Sequence, residues 1–117
     1  MPFVKEKISI IAKYVVLEIK ERGISGYSLG RCKLISEKIR EILIKDYKYK
    51  EKDLKLIQPI LTLNGNIIQS YGHFSLLIIS QKLIVDTQYW QYFRFEDLKR
   101  RKVVFSLNEY KEKGFIL

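Results

Sequence analysis

Cys32, His73 and Asp86 are residue types that do chemistry together. Cys32 is the chain's single cysteine and His73 its single histidine. Their order fits a thiol nucleophile, an imidazole base and a carboxylate that orients the base. A thiolate, not a thiol, is the attacking species, and an ordinary thiol is mostly protonated at neutral pH. A helix N-terminus favours the thiolate through its N–H groups and dipole. A neighbouring imidazole favours it further as a cation and then protonates the leaving group. A carboxylate on the far ring nitrogen fixes the tautomer.

Three such distant residues meet only where a helix end abuts a sheet, and the sequence offers both. Val4, Ile8, Ile11, Val15 and Ile19 follow a helical period, predicting a first helix from about Phe3 to Arg22 that Gly23 stops. Ile24 to Arg31 reads as a glycine-rich loop. A second helix starts near Cys32, with the stripe Cys32, Ile35, Ile39, Ile42 and Leu43, so the thiol lies on its core-facing side. Asp46 to Lys52 is polar, a helix end and loop.

The period then changes. Leu54 to Leu63 reads as a strand, with Pro59 placing it at an edge or bulge. Asn64-Gly65 is a hairpin signal. Ile67 to Ser80 reads as a long strand bent at Gly72, Ser80-Gln81 as a turn, and Lys82 to Phe93 as its return. Phe95 to Lys99 reads as a short helical turn, Val103 to Leu107 as another strand, and Phe115 to Leu117 as an apolar tail. Two helices followed by an antiparallel sheet make an α+β domain, and 117 residues fit a single domain spanning 1–117.

The hairpin supplies a geometric test. With a two-residue loop at Ser80-Gln81, Ser75 faces Asp86, and His73 lies one diagonal step away on the same face, roughly 7 Å between backbones. A three-residue loop would turn Asp86 to the opposite face.

GRCKLISEKIREIL followed by YGHFSLLIISQKLIVDTQYWQY resembles the Cys helix and His–Asp hairpin of papain-like and transglutaminase-like folds. The nearest resemblance is to the small papain-fold toxin domains of bacterial polymorphic toxin systems. In those domains a Cys starts a helix, a Gly-His pair opens a strand and an Asp lies on the next. Those positions are Cys32, Gly72-His73 and Asp86 here, and the resemblance covers Tyr27 to Phe93. It implies N-terminal helices packed on an antiparallel sheet, and attack of the Cys32 thiolate on a peptide or carboxamide carbonyl. Peptidase, deamidase and transglutaminase-like outcomes all stay open. Papain-type peptidases carry an oxyanion-hole Gln just before the Cys, and Ser25 to Arg31 contains none. The Cys32 backbone N–H could serve instead, with Gln58 or Gln69 as second donor. Tyr71 and Trp90 are the candidates for lining the substrate cleft. Gln88 and Gln91 are alternatives to Asp86 as orienter of His73.

Composition bounds the partners. The net charge of +9, from 22 basic and 13 acidic residues, favours acidic partners. For a toxin domain that means a protein or peptide substrate and an acidic immunity protein. Much of the charge is lysine scattered along helices, the pattern of a solvated face. Tyr47 and Tyr49, interleaved with Lys45, Lys48, Lys50 and Lys52, have the makings of a nucleic-acid strip. The alternative reading is therefore a non-catalytic basic binding module or a nuclease-type toxin. One histidine and no locatable acidic cluster argue against the nuclease. One Cys and one His make a poor metal set, so neither metal nor cofactor is expected. The charged start MPFVKEKIS is unlike a secretory signal, and no apolar run approaches the ~20 residues of a membrane span. The expected location is cytoplasmic, including that of a target cell into which the domain is delivered.

Overall fold

Helical periodicity determines which faces of the first two elements are buried. The computed structural model describes residues 4–21, 31–69, 73–87 and 102–117. Helix α1 (Val4–Glu21) buries Ile8, Ile11, Ala12 and Val15, and α2 (Arg31–Tyr47) buries Cys32, Ile35, Ser36, Ile39 and Leu43. These spacings of three and four residues give each helix one apolar stripe. The α2 helix closes where Lys48 adopts a left-handed conformation (φ 58°) and the Tyr49 N–H returns to the Leu43 carbonyl at 3.0 Å. A 3-10 turn (Glu51–Asp53) then leads into the sheet. Arg40 joins helix to strand, its guanidinium donating to the Leu54 and Glu51 carbonyls, both at 3.1 Å.

Strands β1 (Leu54–Ile57), β4 (Ser75–Ile78), β5 (Leu83–Val85) and β6 (Val104–Ser106) form an antiparallel sheet in the order β1-β4-β5-β6. A second antiparallel sheet holds β2 (Ile60–Leu63), β3 (Asn66–Gln69) and β7 (Phe115–Ile116), in the order β3-β2-β7. Between β6 and β7 lies a short helix, α3 (Leu107–Glu112). Strand side chains alternate between faces. Leu54, Leu76, Ile78, Leu83, Val85 and Val104 pack with α1 and α2 in one core. Ile57, Leu77, Ile84 and Phe105 pack with Leu61, Tyr110 and Phe115 in another. The four-stranded sheet is thus covered on both faces, which is why Leu83-Ile84-Val85 is apolar without alternation and wholly buried.

The expected α+β arrangement, two N-terminal helices packed on an antiparallel sheet, is present. Four local readings need correction. Leu54 to Leu63 is two strands in different sheets, divided at Gln58-Pro59, because proline has no N–H with which to continue a ladder. Ile67 to Ser80 is likewise divided between β3 and β4. The turn after β4 spans four residues, Ile79–Lys82, not two. Phe115 to Leu117 is not merely an apolar tail: Phe115–Ile116 is strand β7, preceded by α3. The Asn64-Gly65 hairpin is as expected, with φ of 52° and 81° at the two turn positions. Of the loop expected at 24–31, Arg31 belongs to α2 and the rest lies outside the described residues, as do residues 88–93 of the returning strand and the helical turn at 95–99.

Candidate active site

The β4–β5 register brings His73 and Asp86 together. Leu76 pairs with Val85, Leu77 with Ile84 and Ile78 with Leu83. Continued by one step, this sets Ser75 opposite Asp86 and His73 on the adjoining diagonal. A four-residue loop shares the even parity of a two-residue loop, so Asp86 keeps the face that the shorter turn predicts. Asp53 holds this turn, accepting the Ser80 N–H at 2.7 Å and the Ser80 hydroxyl at 2.6 Å. At the other end of β5, the Asp86 N–H donates to the Val103 carbonyl at 2.8 Å and anchors the carboxylate's backbone.

His73 Nε2 lies 2.6 Å from Asp86 Oδ2, and neither side chain has any solvent exposure. The same Oδ2 accepts the Tyr110 hydroxyl at 2.7 Å, and Ser75 Oγ lies 3.3 Å from that hydroxyl. The imidazole stacks over Phe115, with ring centroids 5.8 Å apart, and Phe115 stacks on Tyr110 at 4.1 Å with planes 6° apart. A polar chain thus crosses an aromatic cluster on the sheet face away from α1 and α2.

Cys32 reaches the same strand from the helical side. It lies in the first turn of α2, where backbone N–H groups have no acceptor within the helix. Its Sγ accepts the Phe74 N–H at 3.3 Å, so the sulfur sits against the peptide that follows His73. Cys32 keeps 8% exposure. The Lys33 ammonium lies over the Phe74 ring, 5.6 Å from its centroid.

The other sequence candidates fall elsewhere. Continuing the β1–β4 register sets Gln58 opposite Phe74, but its side chain is exposed. The side chain of Gln69 lies outside the described residues, as do Tyr71, Gln88, Trp90 and Gln91. Among the described residues, no group of three or more His, Cys, Asp or Glu could hold a metal ion, and no helix is long and apolar enough to cross a membrane.

Sequence reasoning missed Tyr110, though a signal for its helix was present. Ser106 and Glu109 form a capping box, with the Glu109 N–H donating to Ser106 Oγ at 3.1 Å and the Ser106 N–H to Glu109 Oε1 at 3.0 Å. That pattern starts α3 and puts Tyr110 on its inner side. Glu109 also pairs with Lys102 and, at 3.3 Å, with Lys5 of α1. The Lys102 ammonium, followed by the Ser106 N–H, holds the Glu109 carboxyl down to about 2.

Comparison with protein-family models, curated proteins and solved structures gives no match to this chain.

Proposed function

We propose that the chain is a papain-like cysteine hydrolase or acyltransferase acting on a peptide or carboxamide bond, of the kind found as effector domains in bacterial toxin systems. The observation that carries this reading is the seat of the Cys32 sulfur, 3.3 Å from the peptide nitrogen that follows His73. With Nε2 engaged by Asp86, Nδ1 is the imidazole nitrogen that serves the thiol. It is also the ring nitrogen nearer the backbone on which the sulfur rests.

In this mechanism His73 takes the thiol proton, and Cys32 Sγ attacks the carbonyl carbon. The C–S bond forms as the carbonyl electron pair moves to oxygen, where the Cys32 N–H stabilises the oxyanion. Collapse breaks the C–N bond, and His73 returns the proton to the leaving amine or ammonia. Water or an amine then attacks the thioester, His73 takes its proton, and the thiol is restored. Water gives hydrolysis or deamidation, and an amine gives acyl transfer.

The test is alkylation of Cys32, the only thiol, by iodoacetamide as a function of pH. Appreciable reaction below pH 7 is the expected result, with loss of growth inhibition on Cys32→Ala in a strain expressing the domain. Alkylation no faster than that of a free thiol, together with unchanged inhibition by folded Cys32→Ala, would overturn the reading. Such a result would favour the second reading, a basic module binding an acidic partner. Its support is a depression of ≈ 670 Å³ beyond the end of α2, whose lysines Lys48, Lys50 and Lys52 and tyrosines Tyr47 and Tyr49 outnumber its one acidic residue, Asp53, with the β4–β5 turn on the other side.

A further inference from the structure

We infer that Tyr110 is a positioning residue of this site, its hydroxyl holding Asp86 as the acceptor that fixes the His73 ring. The inference deepens the cysteine-enzyme reading and rests on it for its catalytic meaning.

Hydrogen-bond accounting at Asp86 Oδ2 carries the argument. That one oxygen has two neighbours, the Tyr110 hydroxyl at 2.7 Å and His73 Nε2 at 2.6 Å. A phenol has a single proton to give, and here it goes to Asp86. Ser75 Oγ, 3.3 Å from the Tyr110 oxygen, is then the donor in its own contact. The protons run in one direction, from Ser75 to Tyr110 to Asp86, and an oxygen that already accepts from Tyr110 is set to accept from the imidazole as well. This arrangement calls for a proton on Nε2, which leaves Nδ1 to act as base. Linked hydrogen bonds of this kind reinforce one another when buried, and Ser75, His73 and Asp86 have no solvent exposure.

Tyr110 is itself fixed on three sides. The capping box sets the first turn of α3. Phe115 stacks flat against the Tyr110 ring on one side, and Phe105 is tilted against it at 5.8 Å. Phe115 also stacks over His73, so a single aromatic ring contacts both the phenol and the imidazole. The hydroxyl is therefore delivered to Asp86 by a rigid support, which a positioning group requires.

Tyr110→Phe separates the hydroxyl from the ring, since the stacking stays and the proton is lost. His73 is the only histidine, so the nitrogen-15 signals of one imidazole report its tautomer directly. In the wild type they should show Nε2 protonated. In Tyr110→Phe they should shift toward a tautomer mixture, and the Cys32 alkylation rate should fall roughly tenfold, the weight of one hydrogen bond to a charged group. Ser75→Ala, which removes the donor behind Tyr110, should move the same signals by less and gives the readout if Tyr110→Phe does not fold. Wild-type imidazole signals in the folded variant, with only the melting temperature lowered, would overturn the inference and leave Tyr110 as core packing. The imidazole readout needs no reactive thiol. A wild type with an inert Cys32 would sink the enzymatic reading, whereas unmoved His73 signals would sink this one.

Discussion

Phe74 gives its backbone N–H to the sulfur of Cys32, 3.3 Å away, and this contact ties the start of α2 to the start of β4. It sets the thiol against the peptide that follows His73, whose ring meets Asp86. The helix supplies the sulfur, and the hairpin supplies imidazole and carboxylate. Perturbations to the hairpin, the turn and the second core should therefore reach the thiol by different routes.

Asp86→Asn should cost more stability than a change at a cleft surface, where about 1 kcal/mol would apply. The side chain is wholly buried between His73 and Tyr110, so the amide presents an N–H₂ group or a weaker acceptor to two fixed partners. A loss of about 3 kcal/mol is expected in urea unfolding. Thiol-dependent activity should fall by roughly 10⁴, as when an orienting acid is lost. A full-strength pH profile of Cys32 alkylation in the folded variant would show that Asp86 does not act on the Cys–His pair.

Insertions in the Ile79–Lys82 turn should act by parity. One glycine added between Ser80 and Gln81 would rotate β5 by one residue and send Asp86 to the face occupied by α1 and α2. Two added glycines restore the present face. The single insertion should abolish the His73–Asp86 signature in the imidazole spectrum, and the double insertion should retain it. Equal effects of the two would show that a bulge, rather than register, absorbs the change.

Glu109 should make stability fall in acid. Its folded value of about 2 lies below the ordinary 4.5, so its contribution is present in full above pH 4.5 and is lost as pH falls toward 2. The carboxylate is partly exposed, and solvent screening limits the effect to about 1 kcal/mol. Thermal melts of wild type and Glu109→Gln should therefore differ at pH 6 and converge near pH 2. A constant gap across that range would assign the loss to the capping box alone.

Gly114→Ala should unfold the second core. Gly114 has φ of 105°, and a Cβ there would fall on the carbonyl oxygen of Thr62. The two residues are already bound, the Thr62 N–H and hydroxyl both donating to the Gly114 carbonyl at 2.8 Å. Strain and clash together should cost more than about 2 kcal/mol in urea unfolding. Because β7 begins at Phe115, beside His73, Cys32 alkylation should slow as well. Wild-type stability would mean that the chain can shift at this point without loss.

Cys32 and His73 stand out in the sequence because their types are scarce. A single cysteine at a helix start and a single histidine at a strand start leave few combinations, and strand alternation made the Asp86 face a matter of odd or even loop length. The turn is two residues longer than Ser80-Gln81 suggests but has the same even parity, so the strands pair in the expected register. The strands around Pro59 and after Ile67 read as continuous in the sequence because apolar alternation carries no mark of which sheet a strand joins. Tyr110 escaped because six residues of helix carry too little periodicity to stand out between two apolar segments. Its cue was Ser106 and Glu109, three apart, which is a signal of capping chemistry rather than of hydrophobic pattern.

Tyr110 follows Asp86 by 24 residues in the chain, and Phe115 comes later still. During synthesis on the ribosome, the thiol, the imidazole and the carboxylate therefore all emerge before the phenol that binds Asp86 and the ring that stacks on His73. A partly made chain holds Cys32, His73 and Asp86 on elements whose second core still lacks Phe105, Tyr110 and Phe115. The imidazole and carboxylate are translated before the hydroxyl and ring that pack on them, so their buried surroundings are complete only once α3 and β7 dock.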